Sequence, residues 1–188
     1  MRTPNYDKYP AIPVDGLVFT GWEHIREKLH SSVSGPLFVD HYTGVFEEDM
    51  VSELGNGFAR VIRLREYMKP EAEVRDMTEQ FMTNDVLFGH VTCLRLEDFF
   101  DSKKLCSLKE ELKSAGKDTL VIGTGAALVM PKGATLVYAD MARWEIQQRF
   151  RRHEVRGLGV DNHEDPVSIQ YKRGYFIDWR VLDQYKDT

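Results

Sequence analysis

The alternation of short apolar runs with helix-spaced amphipathic stretches is the feature that most narrows the fold of this chain. Leu37-Phe38-Val39 is an apolar run of the kind a buried strand carries. Ala59 to Leu64, Thr119 to Ile122 and Thr135 to Ala139 are three more strand candidates. Between them, apolar residues recur at helical spacing. Glu47-Glu48-Asp49 suits the first turn of a helix ending near Gly55 and Gly57. Pro70 opens a helix with Val74, Met77 and Phe81 inward. A short helix is expected around Leu96 to Phe100, and Ser102 is expected to cap another, with Leu105, Leu108 and Leu112 inward and Gly116 at its end. Asp140 is expected to cap a long helix that buries Ala142, Ile146 and Phe150. Strands alternating with helices imply βαβ units, hence a three-layer α/β fold with a mostly parallel sheet flanked by helices.

The 188 residues suit one domain. Residues 1–19 read as an extended arm, rich in proline and aromatics. Thr20-Gly21-Trp22-Glu23 fits a capping box, followed by Trp22, Ile25 and Leu29 on one helix face. The tail from Tyr171 to Tyr185 reads as part helix, part strand.

Charge and composition exclude several classes. A net charge of -5 argues against a general nucleic-acid binder. No apolar run approaches the roughly 20 residues of a membrane span, and MRTPNYDKYP lacks the apolar stretch of a secretory leader. Cys93 and Cys106 are the only cysteines, so a disulfide framework is not expected and a reducing cytoplasm fits. The six histidines are scattered without metal-ligand spacing, so no metal and no cofactor is expected in this chain.

In open parallel sheets, ligands bind beyond the carboxyl ends of the strands. Three segments are expected there: Asp40 to Glu48, Gly123 to Ala127, and Asp140 onward. The first stands where a phosphate loop would, yet has one glycine, Gly44, no lysine, and acids at 47 to 49. A phosphate loop needs several glycines, a lysine and a hydroxyl, and three carboxylates would repel a triphosphate. Two readings stay open: a site for sugar hydroxyls, or a relic loop with a capped helix. Asp40, His41 and Asp140 are the candidates for acid–base work. Thr124 and Gly125 sit in a Gly-x-Gly turn whose amides can hold an anion or merely permit close packing.

The third segment is the compositional anomaly. Between Arg143 and Arg156 lie five arginines, at 143, 149, 151, 152 and 156, opposed by Glu145 and Glu154 alone. If the helix runs on from Asp140, Arg149, Arg152 and Arg156 share one face, either as a phosphate clamp or as a solvated face of ion pairs. Arg143, Arg173 and Arg180 are further candidates for an anionic ligand. On this reading the cations of the strand-end pocket come from the arginine-rich side alone.

The runs VYADMARWEIQQRFRR and YKRGYFIDWRVLDQYK, with NYDKYPAIPV, TNDVLFG and EDFFDSKKL, resemble the N-terminal domain of the large, two-part bacterial class I mannose-6-phosphate isomerases. The resemblance covers nearly the whole chain in order. That domain is similar in turn to uridine-kinase-like P-loop proteins, which implies a nucleoside-kinase-like fold with a degenerate phosphate loop. RRHEVRG resembles the kinase lid, which assigns Arg149, Arg152 and Arg156 to phosphates and makes residues 140–180 lid-like. The resemblance also implies zinc isomerase chemistry in a following cupin barrel, expected beyond Thr188, with a cupin partner in cis or trans. The expectation is a binding or regulatory domain for a small anionic metabolite, a sugar phosphate or nucleotide. The alternatives are a phosphotransferase with an atypical loop and a mannose-6-phosphate isomerase in its own right.

Overall fold

The structure, a computed structural model, describes residues 10–187. The part of the expected arm at residues 1–9 lies outside the described residues. The chain divides into two compact units, Met1–Ser32 and Val33–Thr188.

In the first unit, residues 10–20 carry no regular structure, and helix α1 spans Trp22–Ser32. Ile25 and Leu29 are half-buried while Trp22 is exposed, so the stripe read from spacing is there but buries no residue fully.

The second unit is α/β. Its strands are β1 (Leu37–His41), β2 (Arg60–Arg63), β3 (Thr119–Ile122) and β4 (Thr135–Ala139). They form an all-parallel sheet in the order β2-β3-β1-β4. Every residue of β1 and β3 is buried, as expected of inner strands covered on both faces. The helices that flank the sheet include α2 (Glu47–Leu54), α3 (Glu71–Met82), α4 (Ser102–Leu112) and α5 (Arg143–Arg151). Val74 and Phe81 of α3 and Leu105, Leu108 and Leu112 of α4 enter a common core with Phe38, Leu64, Phe99 and Val121.

Three expectations of local structure change. The cap of α4 is Asp101, whose carboxylate accepts the amides of Lys103 (2.9 Å) and Lys104 (3.0 Å). Helix α5 starts after Ala142, which is exposed, not at Asp140. Asp140 takes the neighbouring Met141 amide (2.9 Å) and pairs with Lys186 instead. The tail is helical throughout: α6 (Val167–Arg173), a π-helical turn at Gly174–Asp178, and α7 (Trp179–Lys186). Gly174 makes that turn feasible, because a Cβ there would come within 3.0 Å of the buried Trp179 ring.

The end of α5 decides where the arginines of residues 143–156 lie. The His153 amide bonds the Phe150 carbonyl (3.1 Å) and the Glu154 amide bonds the Arg149 carbonyl (3.0 Å). This is the Schellman pattern, with His153 in the left-handed position at φ +56° that glycine usually fills. The helix therefore stops before Arg152 rather than running to Arg156.

Candidate functional site

Because all four strands are parallel, their carboxyl ends share one edge, where a cleft of about 680 Å³ opens. One wall is the loop from His41 to Phe46 and the first turn of α2; the other is the segment from His153 to His163. Arg65 and Lys69, just past β2, and Thr124, just past β3, complete it.

Asp40, at the end of β1, is consumed in structure. It is 1% exposed, and its two oxygens accept the amides of Gly125 and Ala127, each at 3.0 Å. The Tyr185 hydroxyl donates to the same carboxylate, and burial pushes that phenol well above its ordinary value. The amide of Gly123 is taken by the Val39 carbonyl (3.1 Å). The anion held at the Gly-x-Gly turn is thus the chain's own carboxylate.

His41 does face the cleft. The Thr124 hydroxyl lies 3.0 Å from the His41 carbonyl and 3.2 Å from the ring Nδ1. Nδ1 also lies 3.2 Å from the Tyr42 carbonyl, and Nε2 lies 3.2 Å from Glu47 Oε2, so the ring is held between the loop and the first turn of α2.

The acid triplet has cationic company that the sequence reading missed. Arg63 and Arg65 both pair with Glu48, and their Nε atoms lie 3.6 and 3.7 Å from Glu47 Oε1. The hydrogen bond from Arg63 holds Glu48 below the ordinary carboxylate value. Half-buried Lys69 lines the same cleft and has no ion pair among the described residues. The pocket's cations therefore do not come from the arginine-rich side alone. β2 ends at the same sheet edge as β1 and β3, so the ligand-edge rule pointed at Arg63 to Lys69 too.

The guanidinium row is not a row. Arg149 donates to the Gly44 carbonyl (2.6 Å) and to Glu145 (3.1 Å), and lies 3.8 Å over the Phe46 ring, so it braces the loop from behind. Arg152 pairs with Glu145 (3.0 Å) and Glu154 (2.9 Å). Arg156 lines the cleft but pairs with Asp161 (2.8 Å). Arg143 pairs with Asp183 and Arg180 donates to the Tyr175 carbonyl (3.2 Å). Buried Arg173 donates to Thr78 (3.1 Å) and the Leu158 carbonyl (3.0 Å) beside Asp178, whose carboxyl burial pushes up. Of the candidates, His41, Thr124 and Arg156 meet at the cleft; Asp40, Asp140, Gly125, Arg143, Arg149, Arg152, Arg173 and Arg180 do not line it.

The far wall adds His153 and His163. His153 Nδ1 donates to the His163 carbonyl (2.6 Å), and His163 contacts Asp161 (2.6 Å) and Glu164 (3.1 Å). Among the described residues no three His, Cys, Asp or Glu side chains gather as a metal-ligating group. No helix among them is long and apolar enough to cross a membrane.

Residues 21–188 match one family over most of the chain: this protein belongs to the family described as a domain of unknown function, DUF8485. Neither the curated proteins nor the solved structures contain a match to it.

Proposed function

We propose that this domain is a binding or regulatory module linked to sugar-phosphate metabolism of the mannose-6-phosphate isomerase type. Its cleft would hold a small anionic metabolite, a sugar phosphate or a nucleotide, without phosphoryl transfer. One observation carries the reading: where a kinase would wrap a triphosphate, the chain places its own carboxylates. Glu47 and Glu48 occupy the first turn of α2, and Asp40 occupies the amides of Gly125 and Ala127. Residues 42–46 offer one glycine and no lysine. A triphosphate meets neither a backbone cradle nor a loop lysine there. A smaller anion can still use Arg65, Lys69 and Arg156, while the acid and imidazole groups of the walls suit hydroxyls.

The plan itself supports descent from a nucleoside-kinase-like P-loop fold. β1 is an inner strand of an all-parallel sheet, and it feeds a loop and then a helix. The same plan favours a second reading, a phosphotransferase using an atypical loop. Thermal-shift scans with fructose 6-phosphate, mannose 6-phosphate, uridine nucleotides and ATP–Mg separate the two. A ligand at 100 times its dissociation constant stabilises by about 2.7 kcal/mol. Stabilisation by a sugar phosphate or nucleotide with no ATP turnover is the expected result. ATP turnover would replace the binding module by the phosphotransferase, and sugar-phosphate isomerisation by the isolated chain would replace both.

A further inference from the structure

We propose that Arg63, Arg65 and Lys69 form the phosphate subsite of the cleft, and that Glu48 is an internal stand-in which the incoming phosphate displaces. This rests on the anion-binding reading above. Arg63 Nη2 and Arg65 Nη2 engage different oxygens of the Glu48 carboxylate, Oε2 and Oε1, the latter at 3.0 Å. Two guanidinium groups thus meet on one oxyanion, and their charged N–H donors are of the kind that bind phosphate oxygens. The occupant is replaceable: the Glu48 side chain is 65% exposed, and ion pairs this exposed are weakly held.

Glu47 plays a different part. Its Oε2 is fixed on His41, while Oε1 is buried without a hydrogen-bond partner and sees the same two arginines only at 3.6 and 3.7 Å. Glu47 therefore keeps the guanidinium groups aligned without satisfying them. Lys69 stands in the same cleft and has no ion pair among the described residues. Arg65 and Lys69 line the cavity, and Arg63 reaches it only through Glu48, which lines it too. When Glu48 swings out, the two arginines it bridged and the lysine are left for the dianion of a phosphate monoester. The phosphate then lies on the β2 side of the cleft, away from the arginine-rich segment.

Calorimetric titration of the full chain with fructose 6-phosphate, inorganic phosphate and fructose tests this in the wild type, Glu48→Gln and Arg65→Ala. Arg65 is half-exposed, so its removal spares the fold, which circular dichroism verifies. Glu48→Gln keeps the volume and removes the competing charge; both phosphates should then bind about threefold tighter or better. Arg65→Ala should weaken them by about tenfold or more, and fructose should give no heat in any variant. Wild-type binding that neither substitution alters would place the phosphate elsewhere and overturn the subsite, while the anion-binding reading survives. No binding of any phosphate by the wild type and Glu48→Gln would overturn both.

Discussion

Asp40 shows how a residue that looks chemical in sequence is spent on structure. Three donors converge on its carboxylate, two from the turn after β3 and one from Tyr185. Replacing it by alanine strands buried donors that each cost about 1–3 kcal/mol. Asp40→Ala should therefore cost at least about 3 kcal/mol in urea unfolding on that basis. A folded Asp40→Ala protein of unchanged stability would return Asp40 to the list of free acids. Gly157 is a second such point. A Cβ there would lie 2.8 Å from Asp178 and 2.9 Å from Arg173, whose buried pairing carries the Leu158 segment of the cleft wall. Gly157→Ala should cost about 1–3 kcal/mol through overpacking and weaken ligand binding with it, measured by denaturation and by titration on the same sample.

At the scale of elements, the strands were legible because inner parallel strands are apolar without interruption. Leu37-Phe38-Val39 and Thr119 to Ile122 carry that signal, and turn residues bound them. Helix ends were less legible. Nothing in the run from Arg143 to Arg156 contains glycine, so the periodic reading carried the helix through, whereas the chain uses His153 in a left-handed conformation to stop it. With the helix stopped there, Arg149 and Arg152 share Glu145, Arg152 also takes Glu154, and Arg156 pairs with Asp161. A β-branched residue resists positive φ while asparagine tolerates it. His153→Val should therefore be less stable than His153→Asn by about 1 kcal/mol. Equal urea midpoints for the two would refute the left-handed helix stop.

Across the whole molecule, acidic groups held by hydrogen bonds contribute a loss of stability on the acid side, opposite in sign to buried Asp178, whose carboxyl burial pushes up. The amides of Lys104 and Lys103 hold Asp101 below its ordinary value, the Arg63 hydrogen bond does so for Glu48, and Arg149 and Arg152 do so for Glu145. A lowered folded value means that stability is present above the unfolded value and lost as pH falls through the folded one. The midpoint of urea unfolding should decline as pH drops below about 4, near the ordinary carboxylate value. Asp101→Ala should flatten that decline, and a parallel decline in the variant would show that the cap is not titrating. The site was half legible at this scale: His41, Thr124 and Arg156 follow from the rule that ligands gather at strand ends, and the same rule applied to β2 yields Arg65 and Lys69. Which arginines were already engaged was partly hidden: Glu145 meets Arg149 at the i, i+4 spacing readable in the sequence, whereas Glu154 and Asp161 reach Arg152 and Arg156 beyond the helix stop. Amide-resolved NMR titration with fructose 6-phosphate, against ATP–Mg, tests most directly that this is an anion cleft without a working phosphate loop. Saturable shifts around Arg65, Lys69 and Thr124 with the sugar phosphate, and no ATP consumed, are expected. Saturable shifts confined to residues 42–50 with ATP–Mg, accompanied by turnover, would contradict it.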